Sequence, residues 1–210
     1  PVNLYLQGLK EMGAEIDVAD GYVNAKATSP SGRLTGTQIN FPFVSVGATH
    51  VMMMAASLAD GQTIINNAAS EPEIMDVGRC LQAMGAQIEG LGTRTLIIDG
   101  VQKLNGATHT VTRDRIEAGA YACAVVASNS EGTLTGADKA LLGALAPVLQ
   151  QAGATFESKP DGLLVKGTSD IRPVNVVTEP YPGFATDLQA PFMGLMCVAN
   201  GVSHVRETIF

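Results

Sequence analysis

The amino-acid sequence predicts an α/β protein made of repeated modules, each with an amphipathic helix, short strands and an apolar helix. Three observations support this fold class. A Gly-Ala pair follows a helical pattern at Gly13, Gly85 and Gly153, so the repeat is about 70 residues long. Before each pair, apolar residues recur at the spacing of one helix face. Later in each module, a second helical segment is apolar almost all round.

The first helix of each module has an apolar face whose positions follow steps of three, four and three residues. These positions are Val2, Tyr5, Leu9 and Met12; Ile74, Val77, Leu81 and Met84; and Leu142, Leu145, Leu149 and Ala152. The second of these helices opens with Glu71, Pro72 and Glu73. Proline is favoured in a first helical turn, and carboxylates there face the positive end of the helix dipole.

Strands are predicted after each amphipathic helix. Residues 14–27, 86–100 and 154–167 alternate roughly between apolar and polar side chains around a turn that contains glycine. Such a pattern is typical of two paired strands. A third strand is predicted where a glycine follows an apolar run, at Thr63–Asn66, Thr133–Thr135 and Ser203–Val205.

The apolar helices are predicted at Val51–Leu58, Tyr121–Ala127 and Phe192–Ala199. They lack a polar face, so we expect protein to surround them. Each is far shorter than the roughly 20 apolar residues that span a membrane. We expect their methionines to fill the core, and we expect Cys123, Cys197 and Cys80 to be core residues without a reactive role.

The net charge and the cysteine count limit the kinds of molecule that the protein is expected to bind and the compartment in which it is expected to fold. The 210 residues carry a formal net charge of −7, which argues against nucleic acid or an anionic membrane as the main partner. A small anionic substrate remains compatible if local donors hold it. Three cysteines and no signal peptide indicate a reducing cytoplasm. Because the chain opens on Pro1 within a helical pattern, we expect both ends to be cut from something larger.

Polar chemistry is expected where the apolar helices begin, because helix starts expose unpaired N–H groups and partial positive charge. Ser45, Val46 and Gly47 form the best candidate for an anion cradle, since glycine lets a ligand approach the backbone. The alternative is that Ser45 only caps the helix. Equivalent ends of repeated modules should converge on a shared cleft.

The other two helix starts carry carboxylates. Asp114 and Glu117 can cap a helix while Arg115 reaches outward, and Asp187 is either a cap or a functional group. The histidines have no spacing typical of metal ligands, so we expect no metal. Nucleotide-binding glycine loops and nucleophile elbows are absent from the sequence.

At these same segments the chain resembles the UDP-N-acetylglucosamine 1-carboxyvinyltransferases, a family of enolpyruvyl transferases. The matching strings are PVNLYLQGLKEMGAEI, VSVGAT, INNAASEPEIMDVGRCLQAMGA, DRIEAGAY, PGFATDLQAPF and ETIF. The resemblance implies an inside-out α/β barrel, in which helices lie inside and sheets outside, with two lobes that are both incomplete here. Residues 1–112 would belong to the later part of the first lobe and 113–210 to the first part of the second.

The same resemblance implies a reaction. These enzymes transfer the enolpyruvyl group of phosphoenolpyruvate to the 3-hydroxyl of UDP-N-acetylglucosamine and release phosphate, without a cofactor. By motif, Asp187 matches a catalytic carboxylate beside that hydroxyl, and Ile209 matches a nucleotide-sugar contact. The segment along the uracil matches Pro1, Val2, Asn3, Leu4 and Tyr5. The loop on the diphosphate matches Phe43, Val44, Ser45, Val46 and Gly47. Supporting positions are Glu71, Asp114 and Arg115.

The chain also departs from the family. Asn3, Tyr5 and Phe43 stand where many members have an acidic residue, a histidine and, in some, a lysine. The reactive cysteine of the family, expected just before Pro1, is missing, so we expect negligible activity from these residues alone. Two alternatives stay open: a shikimate-pathway enolpyruvyl transferase, or a non-catalytic paralogue that binds a nucleotide-sugar. The oligomeric state is not predicted.

Overall fold

The computed structural model describes residues 2–210 and divides the chain into two compact units, Pro1–Thr112 and Arg113–Phe210. Each unit has its own apolar core between helices and a small sheet. The fold class predicted from the sequence, α/β with repeated helix and strand elements, is confirmed. The assignment of the two units to family lobes stays a prediction.

The first unit contains three helices and six strands among its described residues. In chain order these are α1 Asn3–Glu11, β1 Ala14–Ala19, β2 Tyr22–Ala27, β3 Gln38–Asn40, α2 Val46–Ser57, β4 Gln62–Asn66, α3 Pro72–Ala83, β5 Gln87–Glu89 and β6 Thr95–Asp99. β1 and β2 form an antiparallel hairpin. The other strands form a sheet in the order β3-β4-β6-β5, in which only β3 and β4 run parallel.

The second unit also combines helices with short strands. They are α4 Arg115–Ala127, β7 Glu131–Thr135, α5 Leu145–Ala152, β8 Thr155–Lys159, β9 Gly162–Lys166, β10 Val176–Val177, a 3₁₀ turn Thr186–Leu188, α6 Gln189–Met196 and β11 Val205–Arg206. An antiparallel sheet has the order β7-β9-β8, and β10 pairs in parallel with β11. The predicted strand pairs of all three modules are therefore present.

The amphipathic helices bury the predicted faces with small differences. Leu142, Leu145, Leu149 and Ala152 are all buried, although α5 begins only at Leu145. Val2 lies before the first turn of α1 and is exposed, while Leu4 and Met12 enter the core. Pro72 is the first residue of α3, as predicted.

Within the described residues, protein covers only one side of each apolar helix, so this chain alone does not surround them as predicted. In α2, Met52 and Met53 are fully buried but Met54 is 49% exposed; in α4, Tyr121 is 60% exposed; in α6, Met193 is 49% exposed. The neighbouring helices and strands of each unit pack against one face and leave the opposite face to solvent. Composition alone could not reveal this, since an all-apolar helix has no marked face.

The cysteines also differ from expectation. Cys123 is buried, and burial raises the pKa of its thiol to about 12, which keeps it protonated. Cys80 is half-buried, and Cys197 is exposed on the uncovered side of α6, so its placement in the core was wrong. Within residues 2–210, no helix combines the length and apolar character needed to cross a bilayer.

Candidate functional site

The start of α2 is capped by its own sequence. Ser45 is the N-cap residue in an extended conformation, and its hydroxyl accepts the N–H of Ala48 at 3.3 Å. The capping role predicted as the alternative is therefore present. It still leaves the N–H groups of Val46 and Gly47 without an intrahelical partner, as at every helix start. These two groups remain available to an anion.

Tyr5 lies directly against this helix start. A side chain on Gly47 would overlap the Tyr5 hydroxyl, so the phenol occupies the space that glycine leaves open. The approach of a ligand to the Gly47 backbone stays a prediction, now with the Tyr5 hydroxyl beside it. The contact brings the segments around residues 5 and 47 together and sets a hydroxyl beside the first turn of α2. A phenol O–H can donate a hydrogen bond to an anion.

The remaining predicted contacts of the first unit differ in exposure. Val2 and Asn3 are exposed at the start of α1, and Phe43 is 59% exposed before α2. Leu4 is buried, so its side chain contributes to the core rather than to a surface that a ligand could reach. Val44 is half-buried. Pro1 lies outside the described residues.

Glu71 is buried at the start of α3. The residue is 6% exposed, and its side chain makes no hydrogen bond that caps the helix, while its backbone carbonyl accepts the N–H groups of Ile74 and Met75. Within the described chain, one carboxylate oxygen of Glu71 has no hydrogen-bond partner. The carboxylate therefore supports the helix start mainly through the dipole.

Asp114 and Arg115 have distinct roles at the start of α4. The Asp114 carboxylate accepts the N–H groups of Ile116 at 2.7 Å and Glu117 at 3.0 Å, so Asp114 is an N-cap. Arg115 places its guanidinium 5.7 Å from the centre of the Tyr181 ring. This cation–π contact ties α4 to the loop that leads to Asp187.

Asp187 stands in the middle of the 3₁₀ turn Thr186–Leu188, with a different attachment on either side. Leu188 is buried and packs on Gly119 of α4, where a larger residue would meet the leucine side chain. Thr186 points its hydroxyl to Glu207. Asp187 itself is exposed, and no hydrogen bond to its carboxylate is found within residues 2–210. The carboxylate is thus free to accept a proton or hydrogen bond from a ligand.

Glu207 joins the Asp187 turn to the segment that carries Ile209. Its carboxylate accepts the Thr178 hydroxyl at 2.9 Å, the Thr186 hydroxyl at 3.0 and 3.2 Å, the Ile209 N–H at 2.6 Å and the Phe210 N–H at 3.3 Å. Partial burial alone would raise the pKa of Glu207. The hydrogen bonds from Ile209, Thr178, Thr186 and Phe210 outweigh that effect and hold the pKa below its ordinary value.

Sequence reasoning missed Glu207, although it opens the string ETIF. The only local signal was a carboxylate two residues before an apolar contact position. In the second unit, one ionised carboxylate therefore joins the turn that carries Asp187, through Thr186, to the backbone of Ile209. Such an arrangement can orient a hydroxyl and accept its proton. Among residues 2–210, no group of three or more acidic, histidine or cysteine side chains is placed to hold a metal ion.

The whole chain matches a known protein family. Residues 1–210 match the family described as EPSP synthase (3-phosphoshikimate 1-carboxyvinyltransferase). The UDP-N-acetylglucosamine 1-carboxyvinyltransferase of Allorhizobium ampelinum is 54% identical over 211 residues, which cover 100% of this chain and 49% of the relative. The enzyme of the same name from Rhizobium johnstonii is 53% identical, with the same coverage. The chain thus spans about half the length of these curated relatives.

Solved structures show the same fold. The enolpyruvyl transferase NikO from Streptomyces tendae superposes with a TM-score of 0.83 at 24% identity, over 99% of this chain and 51% of NikO. The EPSP synthase of Acinetobacter baumannii gives a TM-score of 0.67 at 20% identity, over 98% of this chain and 48% of that enzyme. At 24% and 20% sequence identity, the structural similarity shows the fold alone. It bears out the predicted enolpyruvyl-transferase fold.

Proposed function

The chain belongs to the EPSP synthase family, and we propose that it is part of a UDP-N-acetylglucosamine 1-carboxyvinyltransferase. The complete protein would transfer the enolpyruvyl group of phosphoenolpyruvate to the sugar 3-hydroxyl and release phosphate, a step of peptidoglycan synthesis in the cytoplasm. The observation that carries the proposal is 54% identity over the entire chain to an enzyme of that name.

Asp187 is the proposed catalytic residue. Aspartate is a weak base toward an alcohol, so its carboxylate would orient the sugar hydroxyl and accept the proton late, once the new bond from oxygen to carbon has largely formed. Its exposure in a turn fixed on both sides supports this role. Ile209 would contact the nucleotide-sugar beside it.

The diphosphate is proposed to bind at the start of α2. The N–H groups of Val46 and Gly47 and the positive end of the helix dipole would hold it, and the Tyr5 hydroxyl lies close enough to Gly47 to add a donor. Val2, Asn3 and Phe43 are exposed and would meet the nucleotide. Because these contacts include backbone groups, they tolerate the departures at Asn3 and Phe43. The chain's net charge of −7 makes such local donors necessary.

The test uses a full-length chimera in which residues 1–210 replace the matching half of the Allorhizobium ampelinum relative. With phosphoenolpyruvate and UDP-N-acetylglucosamine, we expect phosphate release at a rate within about tenfold of that relative. The 210-residue chain alone should give negligible turnover. A folded chimera that releases no phosphate with this acceptor would refute the proposal.

Shikimate 3-phosphate serves as the competing acceptor. The family description includes EPSP synthase, but the solved EPSP synthase shares only 20% identity with the chain. We therefore expect no turnover of shikimate 3-phosphate by the chimera. Turnover of that acceptor, with none of the nucleotide-sugar, would transfer the assignment to the shikimate-pathway enzyme.

A further inference from the structure

The turn that carries Asp187 lacks a polar anchor of its own. Its N-cap position is Ala185, and no side-chain hydrogen bond caps it. The Thr186 hydroxyl, at the first position of the turn, donates to Glu207, 21 residues further along the chain. The position of Asp187 therefore depends on a remote carboxylate together with the packing of Leu188 on Gly119.

Glu207 also fixes the segment on its other side. Its Oε1 atom accepts the N–H groups of Ile209 and Phe210, and the Thr186 hydroxyl lies 3.0 Å from Oε2 and 3.2 Å from Oε1. Thr178, which is fully buried, adds its hydroxyl to Oε1, while Thr208 donates its N–H to the Thr178 hydroxyl at 2.8 Å. One carboxylate thus holds two segments that are separate in sequence.

The charge on Glu207 strengthens both attachments. Its lowered pKa keeps the carboxylate ionised at neutral pH, and hydrogen bonds to an ionised acceptor are shorter and stronger than neutral ones. A glutamine could still accept from Ile209 with its single carbonyl oxygen. Its amide nitrogen would be a donor toward Thr186, so the charge-assisted bond from the Thr186 hydroxyl to Oε2 would be lost.

We infer that Glu207 is a positioning residue of the proposed reaction, since its carboxylate sets the distance between Asp187 and Ile209. The inference rests on the proposed function. Glu207 need not touch substrate, because it acts through Thr186 on one side and through the Ile209 N–H on the other. Misplacing a reacting group by about 1 Å can cost about 100-fold in rate.

The test measures steady-state kinetics of the same chimera. For Glu207→Ala we expect kcat to fall about 10- to 100-fold and KM for UDP-N-acetylglucosamine to rise several-fold, with KM for phosphoenolpyruvate unchanged. Thr186→Val removes only the attachment of the Asp187 turn. We expect it to lower kcat about 10-fold and leave both KM values unchanged.

Glu207→Gln separates positioning from simple folding. We expect it to restore KM for the nucleotide-sugar, through the retained bond from Ile209, and to recover kcat only in part. Glu157→Ala is the matched control, because Glu157 is an exposed glutamate of the same unit that pairs with Lys159. Its kinetics should equal those of the unsubstituted chimera. Circular dichroism checks folding, and if Glu207→Ala does not fold, Thr186→Val decides.

Asp187→Asn in the same chimera separates the failure of the proposed catalytic role of Asp187 from the failure of the positioning role of Glu207. If Asp187→Asn abolishes turnover while Glu207→Ala and Thr186→Val keep kcat within about twofold, the positioning role is overturned and the proposed function stands. If Asp187→Asn leaves turnover intact, the catalytic assignment fails and the inference fails with it.

Discussion

The two candidate ligand-binding segments are held in place by different means. The start of α2 is held locally, by a Ser45 hydroxyl that accepts an N–H three residues later. The turn Thr186–Leu188 is held by Glu207, 21 residues away, and by Gly119, which lies much earlier in the chain. A local cap forms with its helix, whereas a remote clamp forms only after the fold has brought distant segments together.

This difference decides what each segment can tolerate. A change near Ser45 should weaken a helix and a ligand contact together. A change near Glu207 should leave the helices intact, since its bonds join a turn to residues 209–210 rather than to a helix interior. Changes in the first unit are therefore expected to lower helix stability and binding together. Changes at Glu207 in the second unit are expected to lower the rate and weaken the nucleotide-sugar contact, with a smaller effect on stability.

The largest expected effect is at Asp187. In the chimera, Asp187→Asn should lower kcat by about 10² to 10⁴, the usual contribution of a positioned acid or base. KM for UDP-N-acetylglucosamine should change little, because the amide keeps the shape and a hydrogen-bonding oxygen. Phosphate release measured against substrate concentration gives both values.

Asp161→Asn is its control. Asp161 is exposed in the turn between β8 and β9 of the same unit. Turnover by the Asp161→Asn chimera should match that of the unsubstituted chimera. Equal losses for both substitutions would mean that charge in the unit, rather than the position of Asp187, controls the rate.

The second prediction concerns the contact between Tyr5 and Gly47. Gly47→Ala should destabilise the 210-residue chain by about 1–3 kcal/mol, the range for overpacking, because the new methyl group overlaps the Tyr5 hydroxyl. Adding Tyr5→Ala should recover part of this loss, since it clears the space. Urea titration of the single and double variants measures both effects.

Gly194 provides the matched glycine. It lies in α6 with open space where a side chain would project, so Gly194→Ala should gain about 0.5–1 kcal/mol from helix propensity. If Gly47→Ala were equally stabilising, the first turn of α2 would have room that the structure does not show.

The third prediction separates the two roles considered for Ser45. As a cap, Ser45→Ala should cost about 1 kcal/mol of stability and Ser45→Gly only a few tenths. If the hydroxyl also binds the diphosphate, both variants should raise KM for UDP-N-acetylglucosamine equally in the chimera. A rise in KM that follows only the loss of stability would leave Ser45 as a cap alone.

The smallest expected effect is a pH dependence from Glu207. Its folded pKa lies below the ordinary value of about 4.3, so its bonds contribute stability fully above that pH and lose it as pH falls through the lower folded pKa. The difference in unfolding free energy between the unsubstituted chain and Glu207→Gln should be constant above about pH 5 and shrink below about pH 4. Thermal unfolding from pH 3 to 7 checks this, and a difference independent of pH would contradict it.

Much of the fold could be predicted from local patterns. The helix starting at Pro72 and the hairpin of β8 and β9 follow from capping signals and alternation within single segments. The exposed side of α2 could not be predicted, because Met52, Met53 and Met54 are equally apolar and only tertiary packing distinguishes them.

The candidate site also contains one contact that the sequence predicts and several that it does not. The Ser45 cap is visible in the sequence, since the serine directly precedes a helical run. Three other contacts join residues that are distant in sequence. Tyr5 lies against Gly47, Leu188 packs on Gly119, and Thr186 donates to Glu207. No periodicity or spacing rule pairs them, so they appear only once the fold is known.

The most direct test of the account is a crystal structure of the chimera with UDP-N-acetylglucosamine bound. We predict a carboxylate oxygen of Asp187 within about 2.6–3.2 Å of the sugar 3-hydroxyl oxygen, which is hydrogen-bonding reach. A bound sugar whose 3-hydroxyl meets a different residue, with Asp187 still turned to solvent, would contradict the account.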